Sequence, residues 1–203
     1  MRITHGNTVL RSLEEEDLEL IRNWRNDQLV NEHLLNREYI SQEKQLEWFK
    51  TLDSQGSLYL LIEEDNQPLG LIYANQINLE KHSFWGNVMM GNQESKDSWT
   101  SVKAVLLLCD FMFIQCNFKA IYSVVNKTNG PALAMNRRMG FVSYEETDSL
   151  YYECCEIKEH YRKTKRIRAV VLGSKKTLLT MEDGDKKGAF LSHLMTDNHE
   201  RIN

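Results

Sequence analysis

No stretch of this 203-residue chain approaches the roughly 18 consecutive apolar residues that cross a bilayer, and Met1 to Asp17 has no apolar core of the signal-peptide kind. Both absences point to a cytoplasmic protein with no membrane partner. Cysteine is sparse: Cys109 and Cys116 sit in an apolar run, while Cys154 and Cys155 are adjacent. That is neither a CxxC redox pair nor a zinc spacing, so no metal is expected and the thiols read as small buried side chains. Proline occurs only as Pro68, in turn chemistry at Asn66-Gln67-Pro68, and as Pro131, at the start of a short helical pattern. There is no internal repeat and no low-complexity run. At 41% hydrophobic and 27% charged residues, the composition is that of a globular domain rather than a disordered chain.

A net positive charge is also missing. The formal charge is −4, which argues against a nucleic-acid partner, but the two signs are segregated. Residues 158–203 carry 11 Lys and Arg against 6 Asp and Glu, whereas residues 1–157 carry 14 against 23. The chain is an acidic body with a basic tail. The cluster Arg162, Lys163, Lys165, Arg166 and Arg168 reads as the solvated face of a terminal helix, or as a surface for phosphates or for a second subunit.

Periodicity supplies the elements. Ser12-Leu13-Glu14-Glu15 reads as a capping box opening a helix to about Asn26, with Leu18, Ile21 and Trp24 on its buried face. Ser41 caps a second helix, with Leu46, Phe49 and Leu52 as its apolar stripe. Leu58–Ile62, Leu69–Ile77 and His82–Met90 read as three strands of an antiparallel meander. A long helix from Ser98 to about Asn117 follows, then a strand at Ala120–Val125, a helix at Pro131–Met139 capped by Gly140, strands at Phe141–Tyr144 and Leu150–Ile157, and a basic helix from Lys158. The order ααβββαβαββ is an α/β class, mixed-sheet fold. The long crossover helix allows the strands on either side of it to be parallel.

Ligands in such sheets sit where a strand end feeds a helix amino terminus. Two junctions qualify. Val88-Met89-Met90 runs through a polar loop into Ser98, Trp99, Thr100 and Ser101, where free helix N–H groups, Lys96 and the hydroxyls suit an anion such as a pyrophosphate. Asn126 leads to Asn129, Ala132 and Asn136, ahead of Gly140-Phe141. The N-x-x-A spacing of Asn129 and Ala132, with Gly140-Phe141 eleven and twelve residues after Asn129, resembles the acetyl-CoA-side helix of the GNAT superfamily of N-acetyltransferases. The element order resembles that fold from residue 8 to about 163, which implies a domain at 1–163 and a basic extension at 164–203.

Leu10-Arg11, Asp17-Leu18 and Trp24-Arg25-Asn26, with Ile40-Ser41 and Trp48-Phe49 downstream, resemble the branch that acetylates nucleotide-linked amino sugars, and more loosely the ribosomal-protein N-terminal acetyltransferases. The resemblance implies acetyl-CoA as co-substrate, with Val88, Met89, Met90, Lys96, Ser98, Trp99, Thr100, Ser101, Asn126, Asn129, Ala132 and Asn136 on its side. It implies Trp24, Arg25, Asn26, Glu32 and His33 on the side of a small-molecule amine. Two departures stand out. Lys96 and Ser98 occupy the places of the family's pyrophosphate-loop glycines, so either the Lys96 charge replaces part of the backbone cradle or cofactor affinity is weakened or lost. Asn136 stands where many members carry a tyrosine that protonates the leaving thiolate, and an amide is no proton donor there. A backbone N–H near Met89 or Met90 is expected to polarise the thioester carbonyl. His82 and Glu80, at the start of that strand, are the candidate bases, with His33 and Glu32 next. The implied protein is a monomer or homodimer that acetylates a nucleotide-linked amino sugar. The alternatives are a protein or peptide N-acetyltransferase and a GNAT-fold binding module that has lost catalysis.

Overall fold

The computed structural model describes residues 1–52, 56–91 and 99–180. Its strands form one mixed sheet, ordered β7-β8-β6-β5-β4-β3-β2-β1-β9. The expected meander is β3 (Leu58–Glu64), β4 (Gln67–Asn78) and β5 (Ser83–Met90), antiparallel throughout. β6 (Ala120–Asn126) runs parallel to β5. β8 (Leu150–Glu156) pairs with β6, and β7 (Val142–Glu146) forms the edge beyond it.

Two strands precede the first helix where none was anticipated, β1 (Arg2–His5) and β2 (Thr8–Ser12). They bury only Ile3 and Leu10 as large apolar side chains, too sparse an alternation to read as strands. Ser12 accordingly closes β2 and does not cap a helix: its hydroxyl accepts from the Met1 ammonium at 3.1 Å. The capping exchange occurs two residues later, where the Glu14 N–H donates to Asp17 Oδ2 at 2.8 Å. Arg11 holds the same carboxylate through both terminal nitrogens, at 2.7 and 2.8 Å.

Helices α1 (Leu18–Asn26), α2 (Gln28–Asn31) and α3 (Gln42–Thr51) cover one face of the meander. Their Ile21, Trp24 and Val30 pack with Leu52 on Leu61, Leu71 and Met89. The main core lies on the other face, under α4 (Thr100–Asp110), α5 (Gly130–Met139) and α6 (Ile157–Val171). α4 runs on into a π-helical turn, Phe111–Gln115, where Phe111, Met112 and Phe113 are all buried. At the end of α5, Gly140 takes the left-handed conformation at φ +99, which ends the helix without the steric cost a side chain would carry.

The basic tail is partly structural. Asp110 on α4 accepts from Tyr161 Oη at 2.8 Å and pairs with Arg168, whose guanidinium also lies over the Tyr161 ring. Arg162 pairs with Glu159 at 2.7 Å, the i, i+3 arrangement of a solvated helix face. Beyond α6, β9 (Leu178–Thr180) adds to β1, and buried His5 bridges Leu172 O and Thr177 Oγ1, each at 3.0 Å. The division expected between residues 163 and 164 falls inside α6, and the rest of the extension, 181–203, lies outside the described residues. Among the described residues no helix is long and apolar enough to cross a membrane.

Candidate active site

The parallel pairing of β5 with β6 covers only Ser83–Trp85 against Ala120–Tyr122. Beyond it the strands part, and the last halves of both border a cleft. The Gly91 N–H still donates to Leu69 O at 2.8 Å across β4. Because N–H groups alternate sides along a strand, those of Met90 and Val88 point the other way, into the gap left by β6. The Met89 amide, one of the two anticipated carbonyl polarisers, faces β4.

Two recesses open on this gap. One, of about 260 Å³, lies against α3 and is walled by Arg25, Trp48, Tyr59, Tyr73 and Asn87. The other, of about 730 Å³, lies between the starts of α4 and α5 and is walled by Met90, Trp99, Ser101, Val102, Met135 and Arg138. They share His33, Leu34, Val88, Met89, Asn129 and Ala132, so they are two mouths of one passage. Tyr59 and Tyr73 stack at 4.7 Å between ring centroids, and Trp48 meets Tyr59 edge-on at 5.0 Å. Burial pushes both phenols up, Tyr73 to about 12, while the nearby positive charge of Arg25 pulls weakly the other way.

The three residues of the Trp24-Arg25-Asn26 motif are sent to different places. Trp24 is core: its indole lies flat against Gly91, where an added Cβ would stand 2.0 Å from Trp24 Cδ2. Arg25 alone enters the recess, and it has no carboxylate within ion-pair distance among the described residues. Asn26 clamps the Ile40 backbone, donating to its carbonyl and accepting from its N–H, both at 2.9 Å. Asn31 Nδ2 donates to Arg25 O at 2.9 Å and Arg37 O at 3.3 Å. Together these two asparagines hold the loop that carries His33 over the passage. Trp24 and Asn26 therefore build the substrate side without lining it. A Gly91→Ala substitution has no room to relax against this ring and should cost about 1–3 kcal/mol by overpacking. Thermal unfolding should register a Tm lower by at least about 3 °C, and an unchanged Tm would show that the ring moves freely.

Other anticipated residues divide in the same way. Ser101 and Trp99 line the larger recess, but Thr100 turns from it to donate to Glu64, which also accepts from Lys103 at 3.0 Å. Asn129 caps α5, accepting from the Ala132 N–H at 3.1 Å. Asn126 Oδ1 accepts from Thr128 N–H at 2.9 Å. Asn136 is buried and donates to Glu153 Oε2 at 2.7 Å. Lys96 and Ser98 lie outside the described residues. The base expected at His82 or Glu80 is not brought to the cleft. Both sit at the opposite end of β5, about 23 Å away along an eight-residue strand, and His82 Nδ1 lies 3.2 Å from Asn117 O. His33, with Nε2 at 3.5 Å from Glu32 Oε1, does reach the passage. Tyr59, Tyr73, Asn87, Val102 and Arg138 were not anticipated. Only the Tyr59–Tyr73 strand register reveals the aromatic wall.

The cleft fits acetyl-CoA in three respects. It offers backbone N–H groups along an open strand edge, apolar walls from Val102 and Met135, and the cation of Arg138 near the α4 amino terminus. Comparison with known proteins agrees. The acetyltransferase (GNAT) domain family matches residues 10–160. The acetyltransferase PseH of Campylobacter jejuni is 26% identical over 145 residues, 70% of this chain and 87% of PseH. The solved structure of apo FdhC, a nucleotide-linked sugar GNAT, aligns with a TM-score of 0.69 at 26% identity, over 85% of this chain and 99% of that one. A spermidine N-acetyltransferase from Vibrio cholerae, solved with CoA and spermine, shares the fold with a TM-score of 0.70 at 19% identity, over 76% of this chain and 98% of that one. The chain belongs to the GNAT acetyltransferase family, as an acetyl-CoA-dependent N-acetyltransferase.

Proposed function

We propose that the chain transfers the acetyl group to a primary amine on an anionic small molecule, a nucleotide-linked amino sugar. One observation carries this reading: the acceptor recess presents Arg25, His33, asparagines and tyrosines, and no carboxylate among its described lining residues. A polyamine would have to desolvate several ammonium groups beside the Arg25 guanidinium, with no carboxylate among the described lining residues to compensate them. A phosphorylated acceptor meets the opposite situation. The similarity to FdhC, a nucleotide-linked sugar GNAT, supports the same choice.

Acetyl-CoA supplies the activated acyl group as a thioester. In this reading the Val88 and Met90 amides bind its chain and polarise the carbonyl, while Ser101 and Arg138 face its phosphates. The recesses bring donor and acceptor together in one passage, and positioning of this kind supplies much of the rate. As the C–N bond forms and the C–S bond breaks, the amine proton passes to the His33 imidazole, and the departing thiolate takes a proton from the imidazolium or from water. Glu32 steadies the cation. The test is a thiol-release assay across acceptors. Nucleotide-linked amino sugars should give kcat/KM at least about 100-fold above spermidine or amino-terminal peptides, a difference of about 2.7 kcal/mol in transition-state binding. Preferential turnover of spermidine or peptides would overturn the reading.

A further inference from the structure

The acceptor recess does not end at Arg25. Past Leu34, Leu35, Val124 and Asn126 it continues into a second recess of about 420 Å³ beside the end of the β6–β8 pair, where Arg37 and Tyr152 form the remaining walls with Ser149 and Leu150. Arg37 Nε donates to Leu34 O at 3.2 Å, which fixes the guanidinium plane while leaving its terminal nitrogens without a carboxylate among the described residues. Val124 and Tyr152 are register partners, so the Tyr152 ring stands on the sheet face that the acceptor recess occupies. Leu35 is 53% exposed, a large apolar side chain held at the rim with no core to join. The recess shares only Leu34 with the larger, Arg138-lined mouth, so it is not part of the acetyl-CoA side.

We infer that this second recess is the subsite for the nucleoside diphosphate portion of the acceptor, with Arg37 receiving phosphate oxygens and the Tyr152 ring, flanked by Leu35, receiving the base. The inference rests on the acceptor class proposed above. A planar guanidinium matches two phosphate oxygens at once, and an aromatic face accepts any base by stacking. The order of the recesses also fits the division of labour: the amine reaches the passage beside Met89, while the phosphates and base trail outward past Leu34, Leu35, Val124 and Asn126 to Arg37.

The experiment compares wild type, Arg37→Ala, Tyr152→Leu and Tyr152→Phe with two acceptors, a nucleotide-linked amino sugar and the same free amino sugar. Arg37→Ala and Tyr152→Leu should each raise KM for the nucleotide-linked acceptor about 10-fold, with kcat and the KM for acetyl-CoA unchanged, because uniform binding is what they remove. KM for the free amino sugar should not move, and Tyr152→Phe should behave as wild type. Arg37 is exposed, and a melting curve matching wild type separates lost binding from lost folding. If wild type favours the nucleotide-linked acceptor but neither variant changes its KM, the subsite is elsewhere and the acceptor class stands. If wild type acetylates the two acceptors equally well, the subsite is overturned, and if it acetylates neither, the acceptor class falls and takes the subsite with it.

Discussion

Replacing His33 by alanine should lower kcat by about 100- to 10,000-fold, the range general-base catalysis supplies. The reason is elimination by geometry. Of the residues common to both recesses, His33 alone is ionisable. Arg25 cannot accept a proton, and Tyr73, held near 12, is almost entirely in its neutral phenol form at neutral pH. Asn136 is committed to Glu153, and His82 stands at the far end of β5. The Glu32 carboxylate at 3.5 Å acts through His33 as a positioning residue, so Glu32→Gln should lose no more than about 10-fold. The measurement is initial-rate thiol release at saturating substrates, with KM for acetyl-CoA as the control for an intact cleft. A kcat within about threefold of wild type would remove His33 from the reaction.

How much of this was readable beforehand depends on the kind of signal. The meander and α5 were legible because strong periodicity and turn chemistry agree there: Asn66 turns the chain with Asp65 between β3 and β4, one residue ahead of the Gln67-Pro68 start of β4, and Asn129 and Gly140 stand at the ends of α5. The strands β1, β2 and β9 were not, since each has three to five residues and acquires meaning only through its partner. Within the site, sequence adjacency misled at Trp24, Arg25 and Asn26. A helix turns about 100° per residue, so three neighbours face three ways and only the middle one lines the recess. His82 stands just before β5, at the end away from the cleft, and periodicity places a residue beside an element without saying which end of it opens onto a recess. The opposite failure concerns Tyr59 and Tyr73, which lie on separate strands and stack only because Leu60 pairs with Ile72 and Leu58 with Ala74.

Lowering the pH from about 6.5 to 4 should remove about 3 kcal/mol of stability through His160 alone. This imidazole is fully buried where α6 meets the end of α5. Its Nδ1–H donates to Met139 O at 3.1 Å, its Nε2 has no partner among the described residues, and Phe113 and Tyr161 pack around it. Desolvation is the main reason its pKa falls from 6.5 to about 4, and Arg168 nearby adds repulsion. Between those two values the unfolded chain binds the proton and the folded chain does not. Stability therefore rises with pH across that window and is lost as pH falls through it, at up to about 1.4 kcal/mol per unit. The comparison is urea unfolding of wild type and His160→Asn at pH 7 and at intervals down to 4.5. Asparagine keeps an N–H donor for Met139 O and has nothing to titrate, so it should be the less stable protein at pH 7 yet lose less on acidification. Carboxylates protonate equally in both proteins and cancel in the difference. Parallel stability curves would mean that His160 takes up its proton without opening the α5–α6 junction. Converging curves would show that protonation of His160, at the junction that also sets the Gly140 turn behind the acetyl-CoA cleft, is coupled to unfolding in acid.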